Sequence, residues 1–460
     1  MTQIQATEQV DAKGTGLKEL RDLVRTRSAE LDVPGAAVGV AWQGRDYHLT
    51  AGVTSVDAPA PVTPDTLFMI GSTTKTVTAT AILALVDRGT LDLDTSVVDL
   101  LPELALADAA VTASLTLRHL LTHTGGFEGD VEDDELWGPT ALADSVATFG
   151  SLPQHSPPGA AFSYSNAGLR LAGRLLEAVT GTSYEQAVRD LVLAPLGMAQ
   201  SYYLPWEVWS RPHAVGHVVE ENGTAVAHTW GMGRSAAPEG GLVSSLRDQL
   251  AYGRFHLDGT CAGSPPVSDA TRRAMQVAQR DAAPPFDAVG LPWLLVDTHG
   301  LRAVTHGGNI AGIQLSSLLL LPEHGFALTT LTNAAPGRQL GAEVTDWCLE
   351  NLLGLDPDPA LVPASAAAAV LAAYAGRYDS GTWGMDLAAE EGGLIATFTF
   401  NAAPQADHAV LPPPQQLQLC GPDEVLRITA PGEVFGRFER DATGQVVRLL
   451  CQGRALHRVR

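Results

Sequence analysis

"FMIGSTTKTVTATAILALVDRG", residues 68–89, decides how this chain is read. From Thr73 to Val86 small and apolar residues run without Gly or Pro until Gly89 stops them, which predicts a buried helix starting close to Ser72. Inside it stands Lys75, one of three lysines (with Lys13 and Lys18) among 29 basic residues, the other 26 being arginines. On a helix, residues three apart share a face, so the Ser72 hydroxyl and the Lys75 amine can meet. A serine hydroxyl is a poor nucleophile until a base takes its proton. Buried lysine can be that base, because burial favours the neutral amine, whereas arginine stays protonated. S-x-x-K alone recurs by chance, but an ammonium on an otherwise apolar helix is costly without a purpose.

Two further motifs join it. Tyr164-Ser165-Asn166 lies just before a predicted helix over Ala167–Thr180, and His306-Gly307-Gly308 lies just after a predicted strand. In this order and at these separations the chain resembles the serine β-lactamase and penicillin-binding-protein family, with its S-x-x-K, Y-x-N and [KH]-[TSG]-G motifs. It is most similar to the class C-like branch, which includes D-aminopeptidases and β-lactamase-like esterases. The flanks "TLDLDTSVVDLLPEL", "LTLRHLLTHTGG" and "EGGLVSSLRDQLAYGRF" also resemble that family, and the likeness covers roughly residues 16 to 353.

The resemblance implies roles. Ser72 would be the acylated nucleophile, Lys75 its proton-transfer partner, and Tyr164 a phenolate-like second member of the acid/base system poised by Lys75. Asn166 would hold the substrate and steady Lys75. The oxyanion hole would use the backbone N–H groups of Ser72 and Asn309, while Gly307 and Gly308 let the strand approach the substrate. His306 and Gly307 stand where β-lactamases use Lys and Thr to grip a carboxylate, so efficient β-lactam hydrolysis is not expected. The reaction implied is hydrolysis of a small ester or amide through an acyl-enzyme, with esterase placed ahead of D-amino-acid-specific peptidase. Acyl transfer, weak β-lactamase activity and a non-catalytic binding protein are the remaining alternatives. No cofactor and no metal are expected: His119 and His123 have zinc-like spacing but lack the H-E-x-x-H glutamate.

Strand character near residues 36–53 and again within 288–334, with helices between, predicts an α+β fold: a β-lactamase/transpeptidase-like antiparallel sheet flanked by helices. The expected division is a flexible tail (1–15), a hydrolase unit (16–355), a Pro/Ala linker (356–370) and a small antiparallel β domain (371–460). A lipocalin-like barrel would suit the last. Capping the cleft, binding substrate and oligomerisation are its candidate roles, the last making a homo-oligomer one expectation.

A net charge of −22 disfavours nucleic acid and anionic membrane surfaces. No run approaches the ~18 apolar residues of a membrane span, and no signal peptide is visible, so a cytoplasmic location is expected, with a small ester or peptide-like molecule as partner. The four dispersed cysteines suggest neither a disulfide framework nor a zinc site. The acidic run "EGDVEDDELWG" (128–138) is read as a solvated loop in preference to an amine-binding one.

Overall fold

The computed structural model describes residues 15–131, 136–220, 223–401 and 411–459. The strand Gly35–Trp42 sits near one edge of an antiparallel sheet, between Arg45–Gly52 and Phe326–Thr332. Beyond Phe326–Thr332 follow Gln314–Leu321, Leu301–Ile310 and Leu294–Thr298, then two short strands at Ala288–Val289 and Arg280–Asp281. Both ends of a 300-residue stretch therefore meet in one sheet, as the strand pattern implied.

Sequence explains how both sheet faces are buried. In "GAAVGVAW" one side presents Ala36, Val38 and Val40 to a layer with Leu20 and Val24 of the helix Thr15–Glu30 and Leu340 and Val344 of the helix Gly337–Asn351. The other side presents Ala37 and Ala41, with Gly39 between them. A Cβ on Gly39 would fall 2.9 Å from both Leu246 and Leu250, so glycine lets the helix Leu246–Asp258 lie close on the strand. Alternating apolar residues on two faces are what a doubly covered strand requires.

The expected buried helix runs Thr74–Asp87, and its first twelve residues are all buried. It has no polar face because it is enclosed all round. Its threonines find partners inside: Thr78 meets the Tyr184 hydroxyl at 2.8 Å and the Pro238 carbonyl at 2.6 Å, and Thr80 meets the Tyr252 hydroxyl at 3.0 Å. The helix Asn166–Thr180 packs beside it, capped by Ser165, whose side chain accepts from the Gly168 N–H, and closed by left-handed Gly181.

Beyond residue 371 the strands from Gly376–Asp379 to Arg454–Arg458 form a closed eight-stranded antiparallel barrel. Its interior is filled by Tyr378, Met385, Leu394, Leu417, Phe438 and Leu449, with Phe398 buried in the same cluster and Trp383 packed against it. The fold is thus the α+β arrangement with a trailing barrel that the sequence implied. Among the described residues no helix is long and apolar enough to cross a membrane.

Candidate active site

Ser72 sits in a single 3₁₀ turn, Gly71–Thr73, that runs directly into the buried helix. Two glycines make room for it. Gly71 adopts φ +50, and a Cβ there would lie 2.8 Å from the backbone nitrogen of Asn309. A Cβ on Gly308 would lie 1.8 Å from the Ile70 carbonyl oxygen. The strand Leu301–Ile310 can thus press against the serine turn only where both side chains are absent. Ser316 on the neighbouring strand fixes the approach by donating to the Ile70 carbonyl at 2.6 Å and meeting the Thr73 hydroxyl at 2.9 Å. The backbone nitrogen of Asn309 thereby comes to lie beside the Gly71–Ser72 turn.

One helical turn on, Lys75 is wholly buried. Its amine donates to Ser72 Oγ at 2.9 Å and to the backbone carbonyl of Glu239 at 2.7 Å. Burial, the largest influence, lowers its pKa from 10.5 to about 7, against the nearby Glu239 carboxylate and with help from the Arg454 and Arg170 charges. The Glu239 carbonyl is itself held in place, because the Glu239 carboxylate is gripped by buried Arg170 at 2.5 and 3.2 Å.

Tyr164 lines the same cavity wall as Ser72. Its ring lies 4.9 Å from the Lys75 amine and stacks on His123 at 4.4 Å. His123 is held in the left-handed region at φ +55, and its Nδ1 accepts from the Ser165 N–H at 3.0 Å. Burial raises the phenol pKa, outweighing the lowering by the nearby Ser72 hydroxyl and the Arg454 charge. Burial thus favours the neutral phenol over the phenolate-like form that the resemblance implied, and of the two groups Lys75 is the one poised near neutrality.

His306 is also buried. Its Nδ1–H donates to the Gly307 carbonyl at 2.8 Å, and its Nε2 meets no protein partner. Burial and the Lys75 charge push its pKa down to about 3, so it carries no charge at neutral pH. Ser72, Tyr164, His306, Gly307, Gly308 and Asn309 all line one cavity of about 530 Å³, while Lys75 stands behind Ser72.

Asn166 departs from expectation. It begins the helix Asn166–Thr180 and donates its amide to Asp130 at 2.8 Å, and the amine of Lys75 is met by Ser72 and Glu239 instead. The cause lies in a residue the sequence did not single out. Arg454, from the turn between the last two barrel strands, holds Asp130 with contacts of 2.9 and 3.1 Å. Its guanidinium also lies 4.6 Å from the centre of the Tyr164 ring. The acidic run is corrected with it: Glu128 is buried beside His155 and Asp130 is paired, so its first acids are structural, while 132–135 lie outside the described residues. His119 and His123 do not face a common ligand. His119 Nδ1 accepts from the Thr116 N–H at 3.2 Å, and His123 is engaged with Ser165.

A nucleophile-bearing helix turn packed on a sheet edge, with an amine and a phenol converging on one serine hydroxyl, is the architecture of a β-lactamase-fold serine hydrolase. The family described as Beta-lactamase matches residues 20–347, and the chain belongs to it. Penicillin-binding protein 4 of Amycolatopsis lactamdurans is 36% identical over 372 residues, spanning 79% of this chain and 96% of that protein. Among solved structures, SurE with D-Leu superposes with a TM-score of 0.77 at 29% identity, covering 97% of this chain and 100% of that one. A class C beta-lactamase from Rhodobacter sphaeroides, 24% identical, matches the fold alone, with a TM-score of 0.60 over 73% of this chain and 99% of its own.

Proposed function

We propose that the chain hydrolyses a small ester or amide through an acyl-enzyme on Ser72. The observation that carries this reading is the wholly buried Lys75 amine, 2.9 Å from Ser72 Oγ and held close to neutrality in its titration. A structural lysine has no need of such an environment, which disfavours water and a charge alike. Neutral Lys75 takes the serine proton as Oγ attacks the carbonyl. The neutral Tyr164 phenol then donates to the leaving group, and water reverses the steps to release the acid. The N–H groups of Ser72 and Asn309 receive the oxyanion, an interaction whose loss typically costs about 10²–10³ in rate.

For the acyl group, the bound D-Leu of SurE favours a D-configured residue, since that protein is similar along nearly the whole of this chain. This shifts the sequence expectation from a generic esterase toward a D-aminoacyl donor, with the leaving group either an alcohol or an amine. A neutral His306 in place of a lysine supports poor capture of a β-lactam carboxylate.

Intact-protein mass spectrometry on wild type and Ser72→Ala tests the reading. The donors are the p-nitrophenyl esters of D-leucine and L-leucine, D-leucine p-nitroanilide and benzylpenicillin. An added aminoacyl mass, or catalytic release of product, from the D donors in wild type only is the expected result. Equal turnover of D and L esters would remove the stereochemical part. Equal turnover by Ser72→Ala would remove the acyl-enzyme itself.

A further inference from the structure

The barrel does more than sit beside the hydrolase unit. Its turn Gln452–Arg454 enters the catalytic cavity. The Tyr164 N–H donates to the Gly453 carbonyl at 2.8 Å, and the Ala455 N–H donates to the Ser163 hydroxyl at 3.3 Å. Gly453 has φ +73, and a Cβ there would stand 3.6 Å from Tyr164, so the turn lies directly against the tyrosine. Arg454 follows at once, its guanidinium over the Tyr164 ring and forked on Asp130, which in turn accepts from Asn166. One barrel residue is thereby tied to the tyrosine and the asparagine of the same motif.

We propose that Arg454 is a positioning residue for the catalytic base system, supplying from the barrel the fixed cation beside Tyr164 and Lys75 that the sheet does not supply. The sheet's candidate, His306, is uncharged. A fixed cation near both groups favours their deprotonated forms, so it keeps the Lys75 amine free to accept the serine proton and eases the Tyr164 phenol's donation to the leaving group. The charges facing them are the Glu239 carboxylate with its Arg170 partner, Asp130, and Arg454 itself, with neutral His123 and His306 completing the shell. Glu239 and Asp130 act in the opposite sense to Arg454 and Arg170. Arginine suits the place because its planar fork can grip a carboxylate while its face lies on an aromatic ring.

The proposal rests on the acyl-enzyme reading, and the test separates the two. The pH dependence of kcat/KM is measured on a D-leucine aryl ester for wild type, Arg454→Gln, Arg454→Lys, Asp130→Asn and a control, Arg448→Gln. Arg448 lies on the same barrel but pairs with Glu439 at 2.7 Å, away from the serine. Wild type is expected to show an acid limb near pH 7. Arg454→Gln should move that limb up by about one pH unit, whereas Asp130→Asn should move it down. Arg454→Lys should stay close to wild type in limb position while losing about tenfold in rate through its missing fork, and Arg448→Gln should change neither. Opposite shifts cannot come from loosened packing, which has no sign. A limb unmoved in Arg454→Gln, or moved the same way by both charge removals, overturns the role of Arg454 while leaving Ser72 acylation intact. Should Arg454→Gln fail to fold, Arg454→Met, which removes the same charge while keeping the bulk, takes its place with the same expected upward shift. Absence of any Ser72-dependent turnover in wild type would instead overturn the acyl-enzyme reading.

Discussion

Replacing Lys75 by methionine should make the protein more stable near neutral pH, even as it removes the base. Burial brings the amine from 10.5 to about 7, a difference equivalent to about 5 kcal/mol at ~1.4 kcal/mol per pH unit. The sign follows from proton binding. Between about pH 7 and 10.5 the unfolded chain carries a proton on Lys75 and the folded chain does not, so stability rises with pH across that window. Below about 7 both states carry it, and the full penalty of burying an ammonium is present. Above 10.5 neither does, and the penalty is gone. Methionine keeps most of the bulk and forfeits hydrogen bonds to Ser72 Oγ and the Glu239 carbonyl, at about 1 kcal/mol each and independent of pH. The variant should therefore exceed wild type by about 3 kcal/mol at pH 6.5, lose its advantage at about pH 9 and fall about 1 kcal/mol below wild type by pH 10. Urea unfolding of both proteins at fixed pH values from 6.5 to 10 measures this, because other titrating groups cancel in the difference. A difference that stays flat with pH would refute the argument, as would an advantage that grows toward high pH.

Two further variants probe the frame around the serine. Gly308→Ala places a methyl where the Ile70 carbonyl already stands, 1.8 Å away, so the strand must withdraw from the serine turn. The expected result is a fall of about 10²–10³ in kcat/KM, with intact secondary structure by circular dichroism; unchanged turnover would separate Asn309 from the oxyanion hole. Arg170→Met leaves the Glu239 carboxylate buried and unpaired and should lower stability by about 3–5 kcal/mol. The double variant Arg170→Met with Glu239→Leu should recover much of that, and equal losses in single and double variants would show that the pair itself is not the source.

The sheet was legible because both of its ends announce themselves. Gln43-Gly44 turns "AAVGVAW" back on itself, and the apolar runs after residue 288 alternate with turn residues. The nucleophile helix was legible for the opposite reason, an apolar run with one incongruous lysine. Boundaries moved by a residue or two, as for Thr74–Asp87, because backbone hydrogen bonding and not composition sets the last turn. Small sheets such as Leu67–Met69 with Val243–Ser245 and Ser201–Tyr202 left no trace in the pattern. Strands of two or three residues are shorter than a period of alternation can register.

The site was half legible, and the missing half has a common cause. Ser72, Lys75, Tyr164 and His306 stand in local motifs, each readable within a few residues. Arg454 and Asp130 are 324 residues apart, and Glu239 reaches Lys75 through a backbone carbonyl that no side-chain pattern advertises. Neither kind of contact is encoded in spacing, so motif reading assigned Asn166 to Lys75 when the amide in fact faces Asp130. The consequence is chemical as well as topological. The helix supplies an amine that titrates near neutrality, the sheet an uncharged histidine, and the barrel the fixed cation. The cavity wall is likewise shared, with Gly307 and Asn309 coming from the sheet and Gln452 and Gly453 from the barrel. Two chains with identical serine, tyrosine and histidine motifs can therefore differ in base strength and in cavity shape through one barrel turn alone.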